Sequence, residues 1–280
     1  PSALDLDVQL TVGQSNQKFE PVVSNLTNST ELFCGFIPAN QCNRNNTSDI
    51  YTLFGSDQTR SSYKAPEATL QVNFDAGGVK LTAITGWRHS KESQTQDYDG
   101  SSTDLYFTDR RQHYTQWSQE LRLSGDVGKF DYVVGGYAFD STYDLTQWSR
   151  VFGFNPAVPP TLFDRNSQHV EGQYTSYAFF GDFNWAFADQ WRLSFGGRWS
   201  HDTKKLLNGF APNVLINPTN VQASQFALVG TGNANFSKFT PKVGVDFRPN
   251  DDTMLYASWS RGYRSGGFSP RAATAATAST

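Results

Sequence analysis

Two clusters of arginines and aromatic rings are the strongest candidates for chemistry in this chain of 280 residues. Tyr98, Tyr106, Phe107, Arg110 and Arg111 form one; Trp148, Arg150, Phe152 and Phe154 form the next. Guanidinium groups bind oxyanions through charge-assisted hydrogen bonds, and rings stack on planar ligands. Held on loops, such residues suit an anionic, ring-bearing ligand. They equally suit an interfacial ring girdle with a saccharide-facing rim, and the residues alone leave both readings open.

Other chemistry has little to stand on. His89, His113, His169 and His201 fall near the loop ends of candidate strands, and their spacing repeats no ligand motif. They are expected to be solvated, and no metal site is assigned. No G-x-S-x-G, H-E-x-x-H or phosphate-cradling glycine loop occurs, so the chain is read as no enzyme and no cofactor is expected. Gly135-Gly136, Gly196-Gly197 and Gly266-Gly267 read as strand kinks or close approaches. Cys34 and Cys42 stand eight positions apart (42 − 34) in an Asn-rich polar segment. They are expected to be bonded, closing a short loop in an oxidising compartment. Sequons such as Asn25-Leu26-Thr27 read as chance in a segment of this composition.

Composition narrows the class that must position these residues. With 18% charged residues and a mean hydropathy of -0.52, the chain is too polar for a helical membrane protein. It also has no run of about 18 apolar residues. Yet it holds 22 Phe, 12 Tyr and 7 Trp against one Met, an odd recipe for a soluble core. A net charge of -3 and a pI near 5.8 argue against nucleic acid as a partner. Strand-like alternation begins at once after Pro1, so any targeting segment is expected to have been removed or to lie outside these residues.

The positioning elements are strands. From 239 to 271 the chain reads as a hairpin. Phe239, Pro241, Val243, Val245 and Phe247 alternate with Lys238, Thr240, Lys242, Asp246 and Arg248; Arg248-Pro249-Asn250-Asp251-Asp252 supplies a turn. Leu255, Ala257, Trp259 and Tyr263 then share one face, with Met254, Tyr256, Ser258, Ser260 and Arg264 on the other. The pattern recurs from Leu4 to Val12, Pro66 to Arg88, Trp117 to Ser124 and Tyr177 to Ser200. Phe130 to Trp148 is apolar on both sides and ambiguous in register. Long polar segments at about 13–62, 89–112 and 205–235 read as loops, whereas the opposite ends carry turns of two to five residues. This predicts an all-β fold of about nine antiparallel strands. Ten residues at ~3.3 Å each and ~45° tilt rise roughly 23 Å, the height of an outer-membrane apolar band. Leu70, Val72, Leu81, Phe179, Phe183, Leu193, Phe195, Val243, Val245 and Leu255 are expected to face lipid. Arg122, Arg192, Arg198, Lys242 and Asp246 are expected to face a lumen.

Three stretches in order carry a resemblance. Leu81-Thr82-Ala83-Ile84-Thr85-Gly86-Trp87-Arg88 is the first. Gln116-Trp117-Ser118-Gln119-Glu120-Leu121-Arg122-Leu123-Ser124, followed by Phe130-Asp131-Tyr132-Val133-Val134-Gly135-Gly136-Tyr137, is the second. Thr240-Pro241-Lys242-Val243-Gly244, with the run from Tyr256-Ala257-Ser258-Trp259 to Gly266-Gly267-Phe268, is the third. Together they resemble TonB-dependent outer-membrane receptors from about Tyr63 to Arg271. The resemblance implies an antiparallel transmembrane β-barrel of about 22 strands, short periplasmic turns, long extracellular loops and an N-terminal plug. It also implies a Gram-negative outer-membrane location, lipid contact, active uptake of a ferric siderophore or another scarce nutrient, and energy from TonB-ExbB-ExbD through the plug. Residues 1–280 are then expected to be a partial barrel domain, with the plug and C-terminal strands outside it. Two alternatives remain at this stage: a passive porin-like or structural barrel, and a soluble all-β carbohydrate-binding module.

Overall fold

In a computed structural model, which describes residues 4–21, 55, 58–100, 106–151, 166–212 and 227–269, the chain forms one antiparallel sheet. Its strands run β1 (Asp5–Phe19), β2 (Arg60–Asp75), β3 (Val79–Asp97), β4 (Tyr106–Val127), β5 (Phe130–Val151), β6 (Asn166–Ala188), β7 (Trp191–Pro212), β8 (Ala227–Asn250) and β9 (Thr253–Ser260). Each pairs with its sequence neighbours, so the spatial order is β1 to β9 without a crossover. Cys34, Cys42, Phe152 and Phe154 lie outside the described residues.

The two ends of the sheet differ as expected. At one end β2–β3, β4–β5, β6–β7 and β8–β9 are joined by two or three residues. The β2–β3 turn shows why this is possible. Asp75 accepts the Gly77 amide on Oδ1 at 2.8 Å, and Gly77 and Gly78 adopt φ of 71° and 101°, which side chains disfavour. Gly128 does the same at φ 63° between β4 and β5. Longer segments join the strands at the opposite end.

Register settles the faces. Leu6, Phe74, Leu81, Leu123 and Val134 are successive cross-strand partners from β1 to β5. Phe183, Phe195 and Val243 continue that face across β6, β7 and β8, and Val243 opposes Trp259 on β9. All ten residues expected to face lipid share this apolar face, and all five expected to face a lumen share the other. On β5 the ambiguity resolves by parity. Tyr132 and Val134 join the apolar face, opposite Phe183 and Gly181, while Tyr137 opposes Glu120 and Ala178 on the polar face.

Among the described residues almost nothing covers the apolar face. Phe179 is 65% exposed, Phe239 56% and Leu121 49%, and the buried hydrophobics among the described residues are only Ala65, Phe107, Val170, Ala178 and Leu206. A soluble protein seldom exposes apolar patches beyond a few hundred Å²; this one spans nine strands. Strands with so little internal core need an apolar phase against that face. The soluble carbohydrate-binding module is therefore set aside. Rings gather at both margins of the face. Trp191 stacks on Phe247 at 4.4 Å beside Phe187 and Trp185 near the short turns. Eight residues on (199 − 191), Trp199 lies opposite Phe239 and 6.3 Å from Phe179.

Two expectations need correction. The segments read as loops at 89–112 and 205–235 are largely strand, and the central strands reach 19–24 residues. Past the apolar band both faces meet polar surroundings, so period-two hydrophobicity disappears although the backbone ladder continues. At the other extreme, β9 stops at Ser260 instead of running on through Arg264. The last ladder-like bond joins Arg261 N–H to the Pro241 carbonyl at 3.1 Å. The chain then folds over the polar face. Tyr263 donates its hydroxyl to Asp202 at 2.9 Å, and Lys204 donates to the Gly266 carbonyl at 2.7 Å. Tyr263 therefore leaves the face of Leu255.

Candidate functional site

Most described residues of the arginine and ring clusters lie on strands, where loops were expected. Tyr106, Phe107, Arg110 and Arg111 belong to β4, and Trp148 and Arg150 to β5, while Tyr98 sits in the bend just after β3. Antiparallel pairing brings the two clusters together, with Phe107 opposite Arg150 and Asp109 opposite Trp148. Phe107 packs against Trp148 at 5.3 Å, and the Arg150 guanidinium lies 5.2 Å over the Phe107 ring. Tyr98 and Tyr106 form a separate ring pair at 5.5 Å.

Strand periodicity divides the set. Phe107, Arg111, Trp148 and Arg150 have the parity of the apolar face, and Tyr106 and Arg110 that of the polar face. Adjacent Arg110 and Arg111 thus point apart and cannot grip one ligand together. Arg111 binds Asp109 through two contacts, at 2.9 and 3.2 Å, and Arg110 ion-pairs with Glu92. Phe107 is 8% exposed, so this ring fastens the β4–β5 ribbon.

The polar face carries a second constellation that sequence reading passed over. Towards the long-loop end, Arg88 donates to the Tyr63 hydroxyl at 2.7 Å and also pairs with Glu67. Tyr174 packs on Phe139 at 5.3 Å, donates to Asp202 at 2.9 Å, and receives the Lys204 ammonium over its ring at 5.1 Å. Arg198 spans the Tyr137 and Phe180 rings at 5.4 and 5.7 Å. Below these, Glu120, Arg122, Asp182 and Asn184 help line a concavity of about 490 Å³. The missed signal lay in β5: a strand with rings on both faces marks a polar side built from rings as well as charges.

The histidines do not all stand near strand ends as expected: His89 and His201 lie mid-strand in β3 and β7, because those strands run on past their alternating segments, and only His169 sits beside an end, in β6. His89 meets Thr115 at 2.8 Å, His201 meets Ser237 at 2.7 Å, and His113 is exposed. His169 is not solvated, being 6% exposed. The extended β5–β6 ribbon encloses it, where a solvated loop was expected.

Comparisons agree with this architecture. The ferric yersiniabactin uptake receptor FyuA of Yersinia pestis superposes with a TM-score of 0.59 at 18% identity. The match covers 73% of this chain and 29% of that one. The open form of the ferric-catecholate import receptor Fiu of E. coli K12 gives 0.58 at 14% identity, over 91% of this chain and 44% of that one. The chain therefore spans less than half the length of either receptor, and at these identities the likeness is one of fold. From residue 4 to residue 280 the sequence matches the family described as "TonB dependent receptor-like, beta-barrel", and the chain belongs to that family.

Proposed function

We propose that this chain is the barrel portion of an outer-membrane receptor for energy-dependent uptake of a ferric siderophore. A plug beyond these residues would receive the pull of TonB-ExbB-ExbD. The observation that carries the reading is the polar face of the outer strand halves, where tyrosines and cations meet: Tyr63 with Arg88 and Tyr174 with Lys204, with Tyr106 and Arg110 on the same face of β4. Such a surface offers stacking and charge-assisted donors to an anionic, ring-bearing chelate. The two similar receptors are named for ferric chelates, which supports the same cargo class. Arg111, Trp148 and Arg150 hold the ribbon's other face, and Tyr98 would extend the rim.

Iron-starved cells lacking the full-length receptor should lose growth on one ferric siderophore. Arg88→Ala and Tyr174→Ala should each weaken binding of that chelate by about 1 kcal/mol or more. Growth that depends instead on a sugar or cobalamin would overturn the iron assignment.

A further inference from the structure

On the apolar-face side, above the ring girdle, β5 and β6 bring Asp144 and Glu171 directly opposite one another, with His169 two residues from Glu171. Like charges facing across a ladder are destabilising unless something lies between them. His169 Nε2 stands 3.0 Å from Glu171 Oε1 and 3.6 Å from Asp144 Oδ2, and one donor atom from each residue lies within 4.8 Å of the others. The ring is held from behind. Its Nδ1 is 3.0 Å from Thr146 Oγ1, and Thr146 is the cross-strand partner of His169. As it stands, Nε2 is within hydrogen-bonding distance of Glu171 Oε1; in the tautomer whose Nδ1–H donates to the Thr146 hydroxyl, the Nε2 lone pair is left to face an ion between the carboxylates.

We propose that Asp144, His169 and Glu171 form a binding site for a divalent transition-metal ion that clips β5 to β6. A tetrahedral ion with bonds of about 2.0–2.2 Å holds its ligand atoms about 3.4 Å apart, and the 3.0 and 3.6 Å separations straddle that value. One imidazole nitrogen with two carboxylate oxygens suits zinc and its first-row neighbours; calcium and magnesium take oxygen ligands. Thr146 is the outer-shell group that fixes the ring. The remaining position opens on a concavity of about 530 Å³ lined by His113, Thr115, Lys205 and Leu207, where water or His113 completes the shell. The site lies on the face opposite the proposed chelate path, so its ion is a resident clip and not the cargo. It does not depend on what the receptor transports.

The test uses the full-length receptor in detergent, stripped with chelator and titrated with Zn²⁺ by calorimetry. One Zn²⁺ should bind per chain, and His169→Gln and Glu171→Gln should each weaken it by at least about 10–100-fold, the cost of losing even a group that only orients a ligand. Glu171→His, which restores a ligand, should recover most of the affinity. His201→Gln, a histidine on the same face with no carboxylate partner, should leave binding unchanged. Zn²⁺ should also slow amide exchange at the outer ends of β5 and β6. Co²⁺ on the unsubstituted receptor should give a tetrahedral visible spectrum, a readout that survives if a variant fails to fold. Absence of stoichiometric binding by the unsubstituted receptor overturns the site, and so does binding that H169Q and E171Q both leave intact. Equal loss in H201Q would overturn it too.

Discussion

Val243 offers the sharpest test of how this sheet sits in a membrane. It lies on the apolar face of β8, cross-strand from Phe195 and Trp259, and is 44% exposed. Phe247, stacked on Trp191 at the short-turn margin, is four residues away (247 − 243). Phe239, opposite Trp199 at the other margin, is four residues away in the other direction (243 − 239). At ~3.4 Å per residue and a tilt of ~40°, each girdle stands roughly 10 Å from Val243, which places it at mid-depth. Val243→Arg should therefore cost about 2–4 kcal/mol, the penalty for a guanidinium at the hydrocarbon midplane. Its neighbour Lys242 faces the other way and ion-pairs with Asp182 in half-exposed surroundings. Lys242→Ala should cost no more than about 1 kcal/mol. Reversible denaturation of the full-length receptor in lipid vesicles measures both. Equal costs, or a larger one for Lys242, would refute the assignment of faces, because a one-residue slip reverses every side chain.

Four further outcomes can be checked, three of them set by the sheet. A β-carbon at Gly172 would stand 1.9 Å from the Tyr143 ring, so Gly172→Ala should destabilise by about 1–3 kcal/mol, and Tyr143→Ala in the same chain should relieve much of it. At Gly196 the obstacle is the Gly181 carbonyl at 2.4 Å, which is backbone, so no side-chain truncation should rescue Gly196→Ala. Because Arg110 and Arg111 point to opposite faces, Arg110→Ala should weaken chelate binding by about 1 kcal/mol or more while Arg111→Ala changes it less than about twofold. Thiol counting on the unfolded full-length receptor, with and without reductant, checks Cys34 and Cys42; two reactive thiols before reduction would remove the disulfide.

Much of the fold was legible because a lipid-facing strand writes its own orientation. Leu70, Val72, Leu193, Phe195 and Val243 alternate with polar neighbours only because one face meets hydrocarbon and the other does not. The Asp75 to Gly78 turn was legible for a similar local reason: its dihedrals demand those residue types. Both signals fail where both faces are wet. Residues 89–97 and 106–112 are strand with polar side chains on each side, so their sequence reads as loop while the ladder continues. The family could also be recognised from three ordered motifs, since the alternation and the Trp, Gly and Arg positions within them are local.

What the sequence could not disclose was anything fixed by register between strands. Phe107 and Arg150 are 43 residues apart (150 − 107) and touch because β4 and β5 pair as they do. Asp144 and His169 share no motif and meet through one antiparallel ladder. Tyr263 reads as a continuing strand residue and instead reaches Asp202 across the polar face, because the ladder ends first. Alternation determined from the sequence alone that these strands divide an apolar phase from a polar one. Pairing and chain reversal, which depend on partners far along the chain, decided which side chains meet on either face.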